Sequence, residues 1–175
     1  MLVNLPGISD SGPTHWQTLW EQQDPATSRF APSDWDRPRV DDWVAAVDVA
    51  VAGAQAPVLV AHSLACLLVP IWAQRSVLPV TGAFLVAPVN PTAAAFPAEA
   101  FEFASFPRVP LRVPALVVGS QNDPYASASW AHEFAADLGA DFVLAGALGH
   151  INADSGLGDW EQGQALLASF RAGLS

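Results

Sequence analysis

Apolar residues fall along this chain in short unbroken runs separated by stretches of helical periodicity. Val58 to Ala61, Ala83 to Ala87, Ala115 to Val118 and Phe142 to Ala145 are continuous rather than alternating, which is the pattern of strands buried on both faces of a parallel sheet. Leu2 to Leu5 predicts a further strand and Thr27 to Phe30 a weaker one. Between these runs, Val40, Trp43, Val44, Val47 and Val51 recur at helical spacing, with Asp41, Asp42 and Asp48 assigned to the opposite face and Pro38 near the start. Leu64 to Arg75, Ser127 to Leu138 and Asp159 to Arg171 predict more helices, with Gly139 as a cap after the Ser127 helix. His15 and Trp16 open another, whose Trp16 and Trp20, four apart, form a core stripe.

Strands alternating with helices imply an α/β fold: a doubly wound, mostly parallel sheet of about six strands with helices on both faces and right-handed crossovers, in one domain over residues 1–175. In such sheets ligands bind beyond the carboxyl ends of the strands, so candidate chemistry is sought there. The longest segment without a clear strand, Pro88 to Arg112, holds Pro91, Pro97, Pro107 and Pro110 with Phe96, Phe101, Phe103 and Phe106. A connection of that length in a compact domain is expected to be a functional loop or cap. The apolar stretch from Val47 to Ala73 is interrupted by Gly53, Gln55, Pro57, His62 and Pro70, and reads as helix, strand and helix rather than a membrane span.

Composition narrows the function classes. The chain has 175 residues, 51% hydrophobic and 14% charged, enough to bury a substantial core. Its cations are 7 arginines against 17 acidic residues, a net charge of −10. A nucleic-acid binder needs cations to neutralise phosphates, and docking on anionic lipid needs them too, so neither partner is expected. Cys66 is the sole cysteine, which rules out an internal disulfide, and it reads as a small buried hydrophobe. Met1 to Gly7 lacks the features of a signal peptide, so a cytoplasmic location is expected by default.

Three residues follow strand ends in the order Ser63, Asp123, His150. Each taken alone has an ordinary structural explanation: Ser63 as a helix cap, Asp123 before Pro124 as a turn starter, His150 as a satisfied loop histidine. Together, on one rim of a sheet, they supply a hydroxyl, a carboxylate and an imidazole in the chain order expected of α/β-hydrolases. The surrounding motif departs from G-x-S-x-G, because Ala61 and Ala65 stand where glycines keep the tight turn free of clashes.

Leu5-Pro6-Gly7, Ser11-Gly12-Pro13-Thr14-His15-Trp16, His62-Ser63-Leu64, Ser120-Gln121-Asn122-Asp123-Pro124-Tyr125 and Gly149-His150-Ile151-Asn152 resemble the compact serine hydrolases of the retinoblastoma-binding protein 9 and YdeN type. Asn152-Ala153 followed by Ser155-Gly156-Leu157-Gly158-Asp159-Trp160 is similar to the bacterial members. The resemblance spans nearly the whole chain and implies a small α/β-hydrolase without a large lid domain, with Ser63 as nucleophile, His150 as base and Asp123 as orienting acid. Its members are linked to ester or peptide-type acyl hydrolysis. Only Met1 to Leu5 precede Pro6-Gly7, so either an unusually short first strand or a start that omits residues is expected.

By the logic of that fold, one oxyanion donor is the Leu64 N–H, just after the nucleophile. The second comes from the loop after the first strand, where Gly7 permits close approach; Ile8 is chosen, with Ser9 the near alternative. His15 and Trp35 are assigned to substrate, helix capping being the competing role for His15, while His132 is placed on a helix surface. No metal-ligand spacing or phosphate cradle is found, and no cofactor is expected. The expected function is hydrolysis of a small, largely apolar acyl ester, with amide or peptide bonds open. A non-catalytic module binding a peptide or partner on the same scaffold is the alternative, and an acyltransferase would use the same acyl-enzyme.

Overall fold

The computed structural model describes residues 1–174. A six-stranded, wholly parallel sheet forms its centre, built from β1 (Leu2–Leu5), β2 (Ser28–Arg29), β3 (Val58–His62), β4 (Gly82–Val86), β5 (Ala115–Gly119) and β6 (Asp141–Leu144), in the order β2-β1-β3-β4-β5-β6. The register aligns Asn4 with Val60, Val60 with Phe84, Phe84 with Leu116 and Leu116 with Asp141.

Alternate side chains of the strands feed two cores. Val3, Leu5, Leu59, Ala61, Leu85 and Val117 face α2 (Val40–Ala52), α3 (Ala65–Arg75) and α4 (Ala128–Asp137). Leu2, Val58, Val60, Phe84, Val86 and Val118 face α1 (Trp16–Gln23) and α5 (Glu161–Ala172). Because both faces are covered, the central strands are buried at every position, which is why they read as unbroken apolar runs. The edge strand β6 departs from that expectation: covered less completely, it has no fully buried residue, and it begins at Asp141 rather than Phe142. At the other edge β2 shrinks to a pair of residues.

Local chemistry fixes the helix ends. Asp41 and Asp42 lie in the first turn of α2, where the helix dipole favours negative charge. Asp48, outside the buried stripe of α2, accepts hydrogen bonds from Trp72 Nε1 and Ser76 Oγ, both at 2.8 Å, and so ties α2 to α3. The Ser127 hydroxyl caps α4 by accepting the Trp130 N–H. At its far end Gly139 adopts φ +63° while Gly139 N–H donates to Ala136 O and Ala140 N–H to Ala135 O, a paired closure that needs a left-handed residue. Between β4 and β5 the long connection contains a 3-10 segment, Ala98–Ser105. Among the described residues no helix is long and apolar enough to cross a membrane.

The chain runs from β1 outward to β2 and then returns past β1 to β3. This reversal opens a crevice at the carboxyl ends of β1 and β3, the place where ligands bind in open α/β sheets.

Candidate functional site

Ser63 stands in that crevice. β3 ends at His62 and α3 begins at Ala65, so Ser63 and Leu64 alone make the strand-to-helix turn. The turn requires Ser63 to take φ +58°, a left-handed conformation that costs about 1–3 kcal/mol for a residue with a Cβ and is held here by its surroundings. Ser63 N–H donates to Val86 O at 3.0 Å, and Cys66 N–H donates to Ser63 O at 3.0 Å. Ala61 and Ala65 are both fully buried and pack into the core beneath the turn, so methyl groups are accommodated where the glycine pattern has none. Gly7 approaches from β1; a Cβ there would lie 2.8 Å from Ser63 Cβ and 3.2 Å from its Oγ.

The sheet brings Asp123 and His150 to the same place. Ser63 Oγ lies 2.8 Å from His150 Nε2, and His150 Nδ1 lies 2.9 and 3.0 Å from the Asp123 carboxylate oxygens. The carboxylate only accepts, so Nδ1 carries the proton of the neutral imidazole and Nε2 is left to accept from the Ser63 hydroxyl. The Asp123 side chain is 3% exposed, and its Oδ1 also accepts the Tyr125 N–H at 2.9 Å. The arrangement is that of a Ser-His-Asp triad.

Residues beside the triad, which carried no assigned role in the sequence, hold it in place. Asn122 Oδ1 accepts the Gly149 N–H at 2.7 Å and the Ser120 hydroxyl at 3.1 Å, while Ser120 Oγ accepts the Leu148 N–H at 3.0 Å. The loop bearing Asp123 is thereby bonded to the loop bearing His150. Ser155 Oγ donates to Leu148 O at 2.7 Å, and Trp16 Nε1 donates to Ile151 O at 2.8 Å, fixing the other side of the histidine loop. The Tyr125 ring packs 4.4 Å from the His150 ring, centroid to centroid. Polar residues one to three positions from Asp123 were the available signal for Ser120 and Asn122, but their partners lie 27 and 28 residues away.

The loop after β1 separates the two candidate amides. Ser9 N–H is committed to Trp35 O at 3.0 Å, whereas among the described residues neither Ile8 N–H nor Leu64 N–H has an acceptor. Arg29 anchors the loop by donating to Asp10 Oδ1 at 2.8 Å, to Ser11 O at 3.1 Å and to Glu21 Oε1 at 2.9 Å. Trp35 itself is not on the wall of the crevice as expected. Its ring packs edge-on against Phe30 and Trp43, at 5.1 and 5.8 Å, because its loop folds back over α2 and leaves only its carbonyl for Ser9.

The crevice is a cavity of about 300 Å³. Ile8, Leu64, Val89, Pro97 and Tyr125 give it an apolar wall, and Asp10, His15 and Asn152 a polar one. His15 therefore both lines the cavity and caps α1, its Nδ1 accepting the Gln17 N–H at 3.2 Å. His132 lies on the exposed side of α4, its ring against Phe142.

Three imidazoles crowd the site: the His62 ring is 4.7 Å from that of His15 and 5.0 Å from that of His150. Burial lowers His15 to about 4, helped by the charges of Arg29 and His150. Burial likewise holds His62 well below the ordinary range, reinforced by His15 and His150 and opposed by its hydrogen bond to the His150 carbonyl. Both rings are neutral at neutral pH. Burial raises the Cys66 thiol well above its usual range, and the thiol donates to Val86 O at 3.3 Å, so it is an inert part of the core. Among the described residues no group of three or more His, Cys, Asp or Glu side chains is placed to hold a metal ion.

A family model described as "Serine hydrolase" matches residues 2–169. The solved structure of a YdeN-like hydrolase from Pectobacterium atrosepticum is 34% identical, with a TM-score of 0.90 over 99% of this chain and 91% of that one. The ydeN gene product of B. subtilis shares the fold at 19% identity, with a TM-score of 0.80 over 98% of both chains. A thermophilic esterase from Thermogutta terrifontis shares it at 13% identity and a TM-score of 0.70, over 99% of this chain and 90% of that one. No curated protein matches the chain. With the family model covering nearly its whole length and a Ser-His-Asp constellation in the crevice where its fold binds ligands, the chain belongs to the serine hydrolase family of the retinoblastoma-binding protein 9 and YdeN type.

Proposed function

We propose that this protein hydrolyses small, largely apolar acyl esters through an acyl-enzyme on Ser63. The observation that carries the reading is the unbroken path from Ser63 Oγ through His150 to the buried Asp123 carboxylate. Ser63 Oγ attacks the ester carbonyl while its proton passes to His150 Nε2; Asp123 stabilises the imidazolium by accepting from Nδ1. The tetrahedral oxyanion is met by the N–H groups of Leu64 and Ile8, and the free state of both amides supports that choice over Ser9. Collapse of the intermediate breaks the bond to the alcohol, which takes the proton from His150. A water then gives a proton to His150 Nε2 and its oxygen to the acyl carbon; the bond from that carbon to Ser63 Oγ breaks as His150 returns the proton to Oγ, which releases the acid and restores Ser63.

The cavity supports a small substrate, since about 300 Å³ lies at the lower end of ligand pockets, roughly 300–1,000 Å³. Amides and peptides would pass through the same acyl-enzyme. An alkyl fluorophosphonate should label Ser63, and hydrolysis of p-nitrophenyl acetate should vanish in Ser63→Ala. A folded protein whose Ser63 never labels, or whose turnover survives Ser63→Ala, overturns the reading.

A further inference from the structure

The loop that carries the Ile8 amide holds a conformation its own residues disfavour. Asp10 N–H closes a turn on Gly7 O at 3.2 Å, with Ile8 and Ser9 between them. Ser9 and Asp10 adopt φ +65° and +61°, successive left-handed residues where glycine is the usual solution. Such a shape persists only where surrounding contacts impose it. On Ser9 these are the Trp35 carbonyl, 3.0 Å from its N–H, and the Asp36 carboxylate, 2.8 Å from its hydroxyl. On Asp10 and Ser11 they come from Arg29.

The Arg29 guanidinium spans the turn and α1. Nη1 donates to Asp10 Oδ1 at 2.8 Å and to Ser11 O at 3.1 Å, Nη2 to Thr18 Oγ1 at 2.7 Å, and Nε to the Glu21 carboxylate at 2.9 and 3.2 Å. Thr18 Oγ1 in turn donates to Ser11 O at 2.8 Å, and Glu21 Oε1 accepts from Asn4 Nδ2 on β1 at 2.8 Å. One planar cation thus bolts the turn to α1 and, through Glu21 and Asn4, to the strand that leads into it. The Arg29 side chain also neutralises Asp10, a cavity-lining carboxylate whose bare charge would oppose a developing oxyanion. Among the described residues it lines no part of the cavity and bonds none of Ser63, His150 and Asp123.

We propose that Arg29 is a positioning residue for oxyanion stabilisation: by holding Asp10 and Ser11 it aims the Ile8 N–H at the oxygen that becomes negative when Ser63 attacks. The inference rests on the reading of Ser63 as an esterolytic nucleophile with Ile8 as its second oxyanion donor. Without the guanidinium the left-handed residues relax and the amide turns away, while the triad stays bonded.

The test compares p-nitrophenyl acetate with p-nitrophenyl thionoacetate, in which sulfur replaces the carbonyl oxygen. Sulfur is larger and accepts hydrogen bonds weakly, so a well-aimed oxyanion donor favours the oxygen ester. Each kcat/KM is divided by the alkaline hydrolysis rate of the same compound, and the ratio of oxygen ester to sulfur ester is read. A lower fraction of folded enzyme scales both substrates alike and leaves that ratio unmoved. Arg29→Met should lower kcat on the oxygen ester by about ten- to a hundredfold, up to the loss of one whole oxyanion donor, with little change in KM. The ratio should shrink with it. Arg29→Lys retains the cation beside Glu21 but lacks the fork that spans Asp10, Ser11, Thr18 and Glu21 together, so it should shrink the ratio too. Where Arg29→Met does not fold, Arg29→Lys decides. An unchanged ratio in the folded variant, or a loss carried by KM alone, overturns the inference and leaves the esterase reading standing. If the unaltered protein hydrolyses neither ester and Ser63 does not label, the esterase reading fails and this inference with it.

Discussion

His62 and His150 are joined side chain to main chain: His62 Nε2–H donates to the His150 carbonyl at 2.9 Å, while the neighbouring Ser63 hydroxyl meets the His150 ring at 2.8 Å. Adjacent residues of the nucleophile turn thus grip one residue twice, by its backbone and by its imidazole. A carbonyl can only accept, which fixes the proton of His62 on Nε2. His62→Leu should leave the His150 carbonyl buried without a donor, a loss of about 1–3 kcal/mol in stability. Freed to shift, His150 should also lower kcat roughly a hundredfold, as expected for displacement of a reacting group by about 1 Å. Thermal melts and ester turnover on the same sample check both effects; an unchanged kcat would show that the backbone bond does not position the base.

Gly7 faces Ser63 at a distance that admits no side chain. With a Cβ 2.8 Å from Ser63 Cβ and 3.2 Å from His62 O, Gly7→Ala must move either the β1 loop or the nucleophile. Fluorophosphonate labelling of Ser63 should slow by roughly a hundredfold. Labelling at the unaltered rate in a folded Gly7→Ala protein would contradict the close approach.

Asn122 joins the acid loop to the base loop through Gly149 N–H and Ser120 Oγ. Asn122→Ala removes the acceptor of the Gly149 amide at a position open to water, so it should cost no more than about 0.5–1.5 kcal/mol in stability. Because Gly149 precedes His150, kcat should fall more than KM rises. Steady-state kinetics decide this, and a pure KM effect would argue against a positioning role.

Stability should depend on pH through the neutral histidines. An unfolded His15 binds a proton below its ordinary value of 6.5, but the folded ring does so only near 4. Across that window the unfolded chain holds more protons, so stability is complete above pH 6.5 and is lost as pH falls toward 4. His15 accounts for about 3 kcal/mol of that loss, and His62, lowered by burial, acts in the same direction. Urea midpoints should therefore drop between pH 7 and pH 5 and do so less steeply in His15→Asn. Equal midpoints at the two pH values would contradict the burial of both rings as neutral groups.

Much of this molecule follows from short-range pattern. A strand covered on both faces must be apolar at every position, so β3, β4 and β5 are legible as unbroken runs, and helix spacing likewise reveals α2 with Val40, Trp43, Val44, Val47 and Val51 buried. The order Ser63, Asp123, His150 at successive strand ends is legible for the same reason, since parallel connections return every strand end to one rim. The ends of β6 and the bonding of Asp48 to α3 are not legible in that pattern, because edge exposure and a helix-to-helix bond depend on neighbours outside the local window.

Sequence alone therefore determined the layers, the rim and the residue types that meet there, all of which local periodicity and chain order dictate. Tertiary structure decided the contacts: the 2.8 Å bond at Ser63, the grip of His62 on a backbone 88 residues away, and the pairing of Ser9 N–H with Trp35 O that leaves Ile8 free. The same packing sends the Trp35 ring against Phe30 and Trp43 instead of into the cavity. These are set by sheet register and by how loops close over the core, and the spacing of residues along a chain carries no record of either.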